Sequence, residues 1–116
     1  MPALRADLRR AGLLAAGLFL LYALSAPRAV ALEDDGEFIL AAYFLGVAHA
    51  PGYPLHTLLG HLFTWLPLGS VAWRVHLLSG CFGALAAGVA FLAARTLGAA
   101  PLAAFAAAGC LGLSEV

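Results

Sequence analysis

The feature that most restricts how this chain can fold is a long stretch with almost no charge. Between Phe38 and Ser114 only Arg74 and Arg95 carry a formal charge at neutral pH. Over the whole chain 64% of the residues are hydrophobic and 10% are charged, whereas a soluble domain carries about 25% charged residues. Because a soluble fold of this size must cover its surface with polar groups, the composition predicts a membrane protein.

Prolines, glycines and charged residues divide the chain into helical segments, so the sequence predicts an all-α integral membrane fold. A membrane-crossing helix needs about 20 apolar residues. The predicted segments are a basic tail over residues 1–10, a first transmembrane helix over 11–32, a loop over 33–73, a second transmembrane helix over 74–95, and the truncated start of a third over 99–116. Within the loop we predict helices over 37–48 and 55–66, which are too short to span and therefore lie on the membrane surface.

The distribution of arginines predicts the orientation of the chain. Arg5, Arg9 and Arg10 precede the first apolar segment, which favours a cytoplasmic amino terminus and an extracytoplasmic loop. The bias towards Ala, Leu and Arg hints at a bacterial protein of the cytoplasmic (inner) membrane. A cleaved signal peptide is the alternative, since Ala29-Val30-Ala31 resembles a cleavage site.

Small residues recur every fourth position in the second predicted transmembrane helix, at Gly80, Ala84 and Gly88. Such a ridge lies on one helix face and allows another helix to approach closely in lipid. The sequence therefore predicts that this face packs against a neighbouring helix.

The chain is short for a membrane enzyme, and its last apolar run, 99–113, stops at a polar end without a basic flank. We therefore expect an amino-terminal fragment of a longer protein. The net charge is zero, which argues against a nucleic-acid partner. Cys81 and Cys110 lie inside apolar runs, and neither a metal-binding motif nor a glycine-rich phosphate loop is recognisable, so no metal is expected.

Four of the six acidic residues are concentrated in the segment Glu33-Asp34-Asp35-Gly36-Glu37, just before an apolar helical run. One interpretation is a capping box, in which Asp34 caps the helix and Glu37 reaches back. The other is catalytic: one carboxylate acts as a general base at the membrane surface, where neighbouring acids raise its pKa. Both interpretations can hold together, and Asp34, Asp35 and Glu37 are all candidates for the base.

Four motifs follow one another in order, and together they resemble the transmembrane protein 260 family, a protein O-mannosyltransferase-like group long described as a domain of unknown function. The family pattern resembles D-S/C-G-E-F, then G-x-x-H-P-P-G-Y/A-P-L, a helix rich in Leu and Gly, and A-Y-R-V-N-L-x-S. The matching segments are DDGEFI (34–39), GVAHAPGYPL (46–55), LGHLF (59–63) and WRVHLLS (73–79).

The resemblance implies a GT-C-like membrane glycosyltransferase whose first extracytoplasmic loop carries surface helices and an acidic residue. The implied reaction transfers a sugar from a polyprenyl-phosphate donor to an acceptor hydroxyl on a protein or glycan. By position, Asp34 matches the leading Asp of the family and is the candidate general base, and Glu37 matches its Glu. Two alternatives are a non-catalytic membrane assembly protein and a transporter-like module.

Further site candidates lie beyond the acidic segment. His49 could bind the donor phosphate or shuttle a proton, and Arg74 suits phosphate because of its guanidinium geometry. Tyr53 is a candidate interface anchor or donor contact, whereas His61 is expected to be an ordinary residue of a surface helix.

The chain also departs from the family pattern at three positions. Asp35 replaces a small or polar residue, which raises the charge of the acidic segment. Ala50 replaces a proline in the turn before the second surface helix. His76 replaces an asparagine, which places a titratable ring at the head of the second transmembrane helix.

Overall fold

A computed structural model describes residues 2–114, and these residues form α-helices with no β-strand among them. In chain order the helices are α1 (Pro2–Ser25), α2 (Asp35–Phe44), α3 (Pro54–Thr64), α4 (Val71–Thr96) and α5 (Pro101–Leu113). Segments of α1 and α4 are long and apolar enough to cross a membrane. The prediction of an all-α chain is therefore confirmed, and two of its helices have the length and apolar character predicted for membrane-spanning helices.

The ends of α1 differ from the sequence prediction. Residues 2–10 are the first turns of this helix and not a separate tail, because they consist largely of Ala, Leu and Arg, which are good helix formers. The helix ends at Ser25 and not at residue 32. Pro27 accounts for this end, since the residue before a proline is disfavoured in the helical conformation.

The other helices differ from the prediction by smaller amounts. α2 ends at Phe44 because Leu45 adopts a left-handed conformation with a φ of 53°. α4 begins at Val71 because the Ser70 hydroxyl accepts a hydrogen bond from the Trp73 N–H at 3.2 Å, which is the geometry of an N-cap. α5 starts with Pro101, and residues 115–116 of the predicted third helix lie outside the described residues.

The chain divides into two compact units, and α4 contributes to both. The first unit combines α1 up to Leu24 with the chain from Gly80 onward. At its centre the Phe91 side chain is fully buried, with the Phe105 ring edge-on at a centroid distance of 6.3 Å. The other buried residues of this core are mostly small: Ala11, Leu14, Leu18, Ala84, Ala87, Ala104 and Ala108.

The predicted small-residue ridge lies against α1. A Cβ atom at Gly88 would come within 3.3 Å of the Ala11 carbonyl oxygen, and one at Gly80 within 3.1 Å of the Tyr22 Cβ. Ala84, between them, is only 2% exposed. These close approaches confirm that the ridge is a helix-packing face.

The second unit spans Ser25–Ser79 and contains α2, α3 and the first part of α4. Its core consists of Ile39, Ala42, Ala72 and Val75. A Cβ atom at Gly60 would lie 2.9 Å from the Ala42 Cβ, so the absence of a side chain at Gly60 allows α2 and α3 to cross closely.

A charge pair in the first unit joins α1 to the end of α4. The Arg95 Nε donates to Asp7 Oδ2 at 3.0 Å, and the Arg10 Nη1 donates to Asp7 Oδ1 at the same distance. The Asp7 and Arg95 side chains are 11% and 23% exposed, whereas Arg10 is 48% exposed. Because water screens the more exposed pair, the Asp7–Arg95 contact contributes more to stability.

We therefore expect Asp7→Asn to lower the free energy of unfolding by about 1–3 kcal/mol, since it removes the charge partner of a mostly buried arginine. Thermal unfolding followed by circular dichroism in detergent measures this change. The control is Arg10→Gln, which removes the exposed pair and should cost less than about 1 kcal/mol. Equal losses in the two variants would contradict a dominant role of the Asp7–Arg95 pair.

Candidate active site

Two of the loop carboxylates contact the same histidine. Asp34 lies at the N-cap position of α2 and Glu37 lies in its first turn. The Asp34 Oδ2 is 3.2 Å from the His49 Nε2, and the Glu37 Oε1 accepts a hydrogen bond from the His49 backbone N–H at 2.5 Å. The D-x-x-E spacing, about one helical turn, therefore places both carboxylates against the loop that follows α2.

The predicted capping box is not formed. Asp34 occupies the N-cap position, but its side chain makes no capping hydrogen bond. Its backbone carbonyl instead accepts hydrogen bonds from the N–H groups of Glu37 and Phe38, at 3.0 and 3.1 Å. The capping interpretation was wrong because both side chains are used by His49, which follows Glu37 by 12 residues.

The local charges act on the His49 ring. Its Nδ1 lies 3.0 Å from the Ala50 carbonyl oxygen, and its Nε2 faces Asp34. The hydrogen bond to the Ala50 carbonyl and the negative charges of Glu37 and Asp34 raise the pKa of His49 above its ordinary value, although partial desolvation opposes them. The site therefore favours positive charge at His49, which is the property needed to contact a phosphate.

Aromatic rings also pack against His49. The Phe38 ring on α2 packs edge-on against the rings of His49, Tyr53 and His56, with centroid distances of 5.6, 5.1 and 5.4 Å. Tyr53 also packs against His49 at 5.7 Å. Tyr53, predicted as an interface anchor or donor contact, therefore belongs to the same cluster as Asp34 and Glu37.

Sequence reasoning did not assign a role to Phe38 or His56. Burial lowers the pKa of His56, so this ring favours the neutral form, and its Nδ1 atom has no hydrogen-bond partner within residues 2–114. Phe38 directly follows Glu37 in the acidic motif, and its position there was the only available signal.

Asp35 points to a different set of partners. Its Oδ2 accepts a hydrogen bond from the Ala31 N–H at 2.6 Å, and its Oδ1 lies 2.7 Å from the His76 Nε2. The His76 Nδ1 lies 2.9 Å from the Pro27 carbonyl oxygen. The Asp35 and His76 side chains are 19% and 17% exposed, so this pair fastens residues 27–31 and the start of α4 to the start of α2.

Arg74 is also used within the loop. Its Nη1 donates to the carbonyl oxygens of Thr64 and Leu66, and its Nε donates to the Ser70 carbonyl at 3.2 Å. A guanidinium in this position satisfies carbonyl groups at the carboxyl end of α3 and interacts favourably with the helix dipole. The structure thus brings Asp34, Glu37, His49 and Tyr53 together and gives Arg74 a separate set of contacts.

His61 has a structural contact as well. Its Nδ1 lies 2.9 Å from the Ala42 carbonyl oxygen, and its ring packs edge-on against Trp65 at 5.4 Å. His61 therefore links α3 to α2, which agrees with its expected place on a short helix and shows why that position is polar.

The family model for the N-terminal domain of protein O-mannosyl-transferase TMEM260 matches residues 34–108. The chain belongs to the TMEM260 family. The match begins at Asp34 and includes Glu37, His49 and Arg74. The resemblance predicted from the four motifs is therefore confirmed.

Two curated relatives support the same assignment. The chain is 47% identical over 96 residues to "Protein O-mannosyl-transferase TMEM260" of Mus musculus, a match that covers 82% of this chain and 14% of the relative. It is 40% identical over 70 residues to "Protein O-mannosyl-transferase tmem260" of Dictyostelium discoideum, covering 58% of this chain and 8% of the relative. The chain thus corresponds to a small part of each relative. No solved structure gives a significant match.

Two of the departures from the TMEM260 family pattern turn out to contact each other. Asp35 stands where the pattern has a small or polar residue, and His76 stands where it has Asn. Their contact at 2.7 Å explains how the additional carboxylate is tolerated in the acidic segment, because the additional imidazole is its partner.

A double-mutant cycle tests whether the two departures are coupled. We expect Asp35→Asn and His76→Asn each to destabilise the protein, and the double variant to be less destabilised than the sum of the two, with a coupling energy of about 0.5–3 kcal/mol. The free energy of unfolding in detergent is the quantity to measure. Additive effects of the two substitutions would mean that the contact contributes nothing to stability.

Proposed function

We propose that this chain is the amino-terminal part of a membrane glycosyltransferase that transfers a mannosyl group from a polyprenyl-phosphate donor to a hydroxyl of a protein or glycan. The names of the TMEM260 relatives support the sugar and the class of reaction. The observation that carries the proposal is the convergence of Asp34, Glu37 and His49 in one cluster, within the segment that matches the family.

Asp34 is our candidate for the general base. In an inverting transfer the acceptor oxygen bonds to the anomeric carbon, the bond between that carbon and the phosphate oxygen breaks, and the phosphate leaves with the electron pair. The proton of the acceptor hydroxyl passes to a carboxylate. The Asp34 side chain is 65% exposed, so an acceptor hydroxyl can reach it from solution.

The other members of the cluster have supporting roles in this proposal. Glu37 holds the His49 backbone and adds negative charge beside the ring. His49 lies next to Asp34 and is better placed than Arg74 to contact the phosphate of the donor at the reacting centre, because the Arg74 guanidinium is already bonded to carbonyl groups of the α3–α4 connection.

The reaction requires the cluster to be on the side of the membrane where the acceptor is found. We propose that the amino terminus and the α4–α5 turn are cytoplasmic and that the loop containing α2 and α3 is extracytoplasmic. The arginines that flank the helices support this orientation, because cytoplasmic flanks are enriched in Arg. In a bacterial host the protein would reside in the inner membrane.

Asp34→Asn in the full-length protein is expected to reduce sugar transfer at least about 100-fold, because a general base contributes about 10²–10⁴ to the rate. Transfer from a radiolabelled mannosyl polyprenyl phosphate to an acceptor measures the effect. Glu33→Gln is the matched control, since this neighbouring acid is outside the cluster, and it should keep wild-type activity. Wild-type turnover by Asp34→Asn would remove Asp34 as the base.

The orientation is tested by cysteine labelling in a background that carries Cys81→Ser and Cys110→Ser. Tyr43→Cys on α2 should react with a membrane-impermeant thiol reagent added outside, because Tyr43 is 47% exposed. Leu97→Cys in the α4–α5 turn, where Leu97 is 88% exposed, should react only after the membrane is opened. The reverse pattern would overturn the proposed orientation.

A further inference from the structure

We propose that Asp34, Glu37 and His49 form a binding site for a divalent cation. Each residue offers one ligand atom, and these atoms all lie within 4.8 Å of one another. Because bonds from Zn²⁺, Mg²⁺ or Ca²⁺ to such ligands are about 2.0–2.6 Å long, ligands of one ion lie up to about 5 Å apart. The three donors are therefore close enough to bind one ion together.

The orientation of the imidazole ring is a second argument for a cation. The Nδ1 atom lies 3.0 Å from the Ala50 carbonyl oxygen, which is an acceptor, so Nδ1 carries a hydrogen. Nε2 faces the Asp34 Oδ2 at 3.2 Å, so these two atoms can share one positive charge, which is either the ring proton or a cation that displaces it.

This arrangement is the one in which metal-binding histidines are usually held. Such a histidine donates its second ring N–H to a backbone carbonyl or a carboxylate, which fixes the tautomer and orients the ring, and ligating carboxylates are themselves hydrogen-bonded. Here Ala50 supplies the carbonyl, and the His49 backbone N–H supplies the hydrogen bond to Glu37. The edge-on Phe38 ring further limits rotation of the imidazole.

The charge at the site also favours a cation. The chain has no lysine, and within residues 2–114 no arginine forms an ion pair with Asp34 or Glu37. His49 is thus the only described residue in ion-pair contact with either carboxylate. Two carboxylates with one imidazole carry a net negative charge that a divalent ion would neutralise.

The site is open, so an ion bound there would keep positions for water or for a further ligand. The side chains of His49 and Asp34 are 41% and 65% exposed. A mixed set of two carboxylates and one imidazole suits Mn²⁺ and Zn²⁺ better than Ca²⁺, because imidazole is a ligand for transition metals. On the basis of the function proposed above, the ion would bind an oxygen of the donor phosphate in place of a protonated His49. Because each residue offers one ligand atom, the other Asp34 oxygen would stay available to the acceptor hydroxyl.

Mn²⁺ binding to the EDTA-treated full-length protein in detergent tests the site, with the free ion followed by its electron paramagnetic resonance signal. We expect one class of site that is weakened at least about 10-fold by Glu37→Gln and by His49→Ala. Glu33→Gln is the matched control and should bind Mn²⁺ as the wild type does. Circular dichroism of each variant shows whether it remains folded. If Glu37→Gln or His49→Ala unfolds, the milder Glu37→Asp replaces it in the comparison.

Two outcomes would overturn the cation site: Mn²⁺ binding unchanged in folded His49→Ala and Glu37→Gln protein, or an equal loss in Glu33→Gln. The first means that these donors do not bind the ion, and the second that only the general negative charge attracts it. Failure of the proposed function is separate from both. Mn²⁺ bound as expected by a protein that transfers no sugar would contradict the transferase proposal and leave the site intact.

Discussion

The backbone N–H and C=O groups of the loops must find partners, and this apolar chain offers only a few polar side chains for the purpose. In the second unit these side chains form hydrogen bonds with backbone groups of different loop segments. Asp35 accepts from the Ala31 N–H, Ser70 donates to the Arg28 carbonyl, and Arg74 donates to carbonyls after α3. Each contact joins one loop segment to another part of the second unit, so these few polar side chains help to determine where the loop segments lie.

Helix geometry separates the three candidate carboxylates. On a helix, residues i and i+3 lie on one face while i+1 points elsewhere. Asp34 and Glu37 therefore meet the loop that follows α2, whereas Asp35 meets residues 27–31 and α4. The acidic segment, which is one crowded cluster in the sequence, is divided by helix geometry into two residues that contact His49 and one that contacts His76.

Much of the helical framework could be predicted, because the length of an apolar run and the positions of prolines define a helix within a short stretch of sequence. The close packing of Gly80 and Gly88 against α1 also followed from a local pattern. The ends of α1 were less predictable, since the arginines in its first turns are equally typical of a basic tail that precedes a helix.

The contact between Glu37 and His49 could not be predicted from local patterns. It depends on a chain reversal between the two residues, in which Leu45 has left-handed backbone with a φ of 53°. Leu rarely adopts that conformation, so no propensity signals it. The proposed cation site has no recognisable sequence spacing for the same reason, because its imidazole comes from the far side of the reversal.

The Asp35–His76 contact shows how a family pattern can change in a chain with so little charge. A carboxylate added at position 35 alone would lack the ring nitrogen that its Oδ1 now faces, and an imidazole at position 76 alone would lack the carboxylate oxygen that its Nε2 now faces. Each change alone carries the penalty of an unsatisfied buried polar group. The two changes together satisfy each other, and their partners are distinct from those of Asp34 and Glu37. The pair can therefore alter how residues 27–31 and α4 are held to α2 while Asp34 and Glu37 keep their contacts to His49.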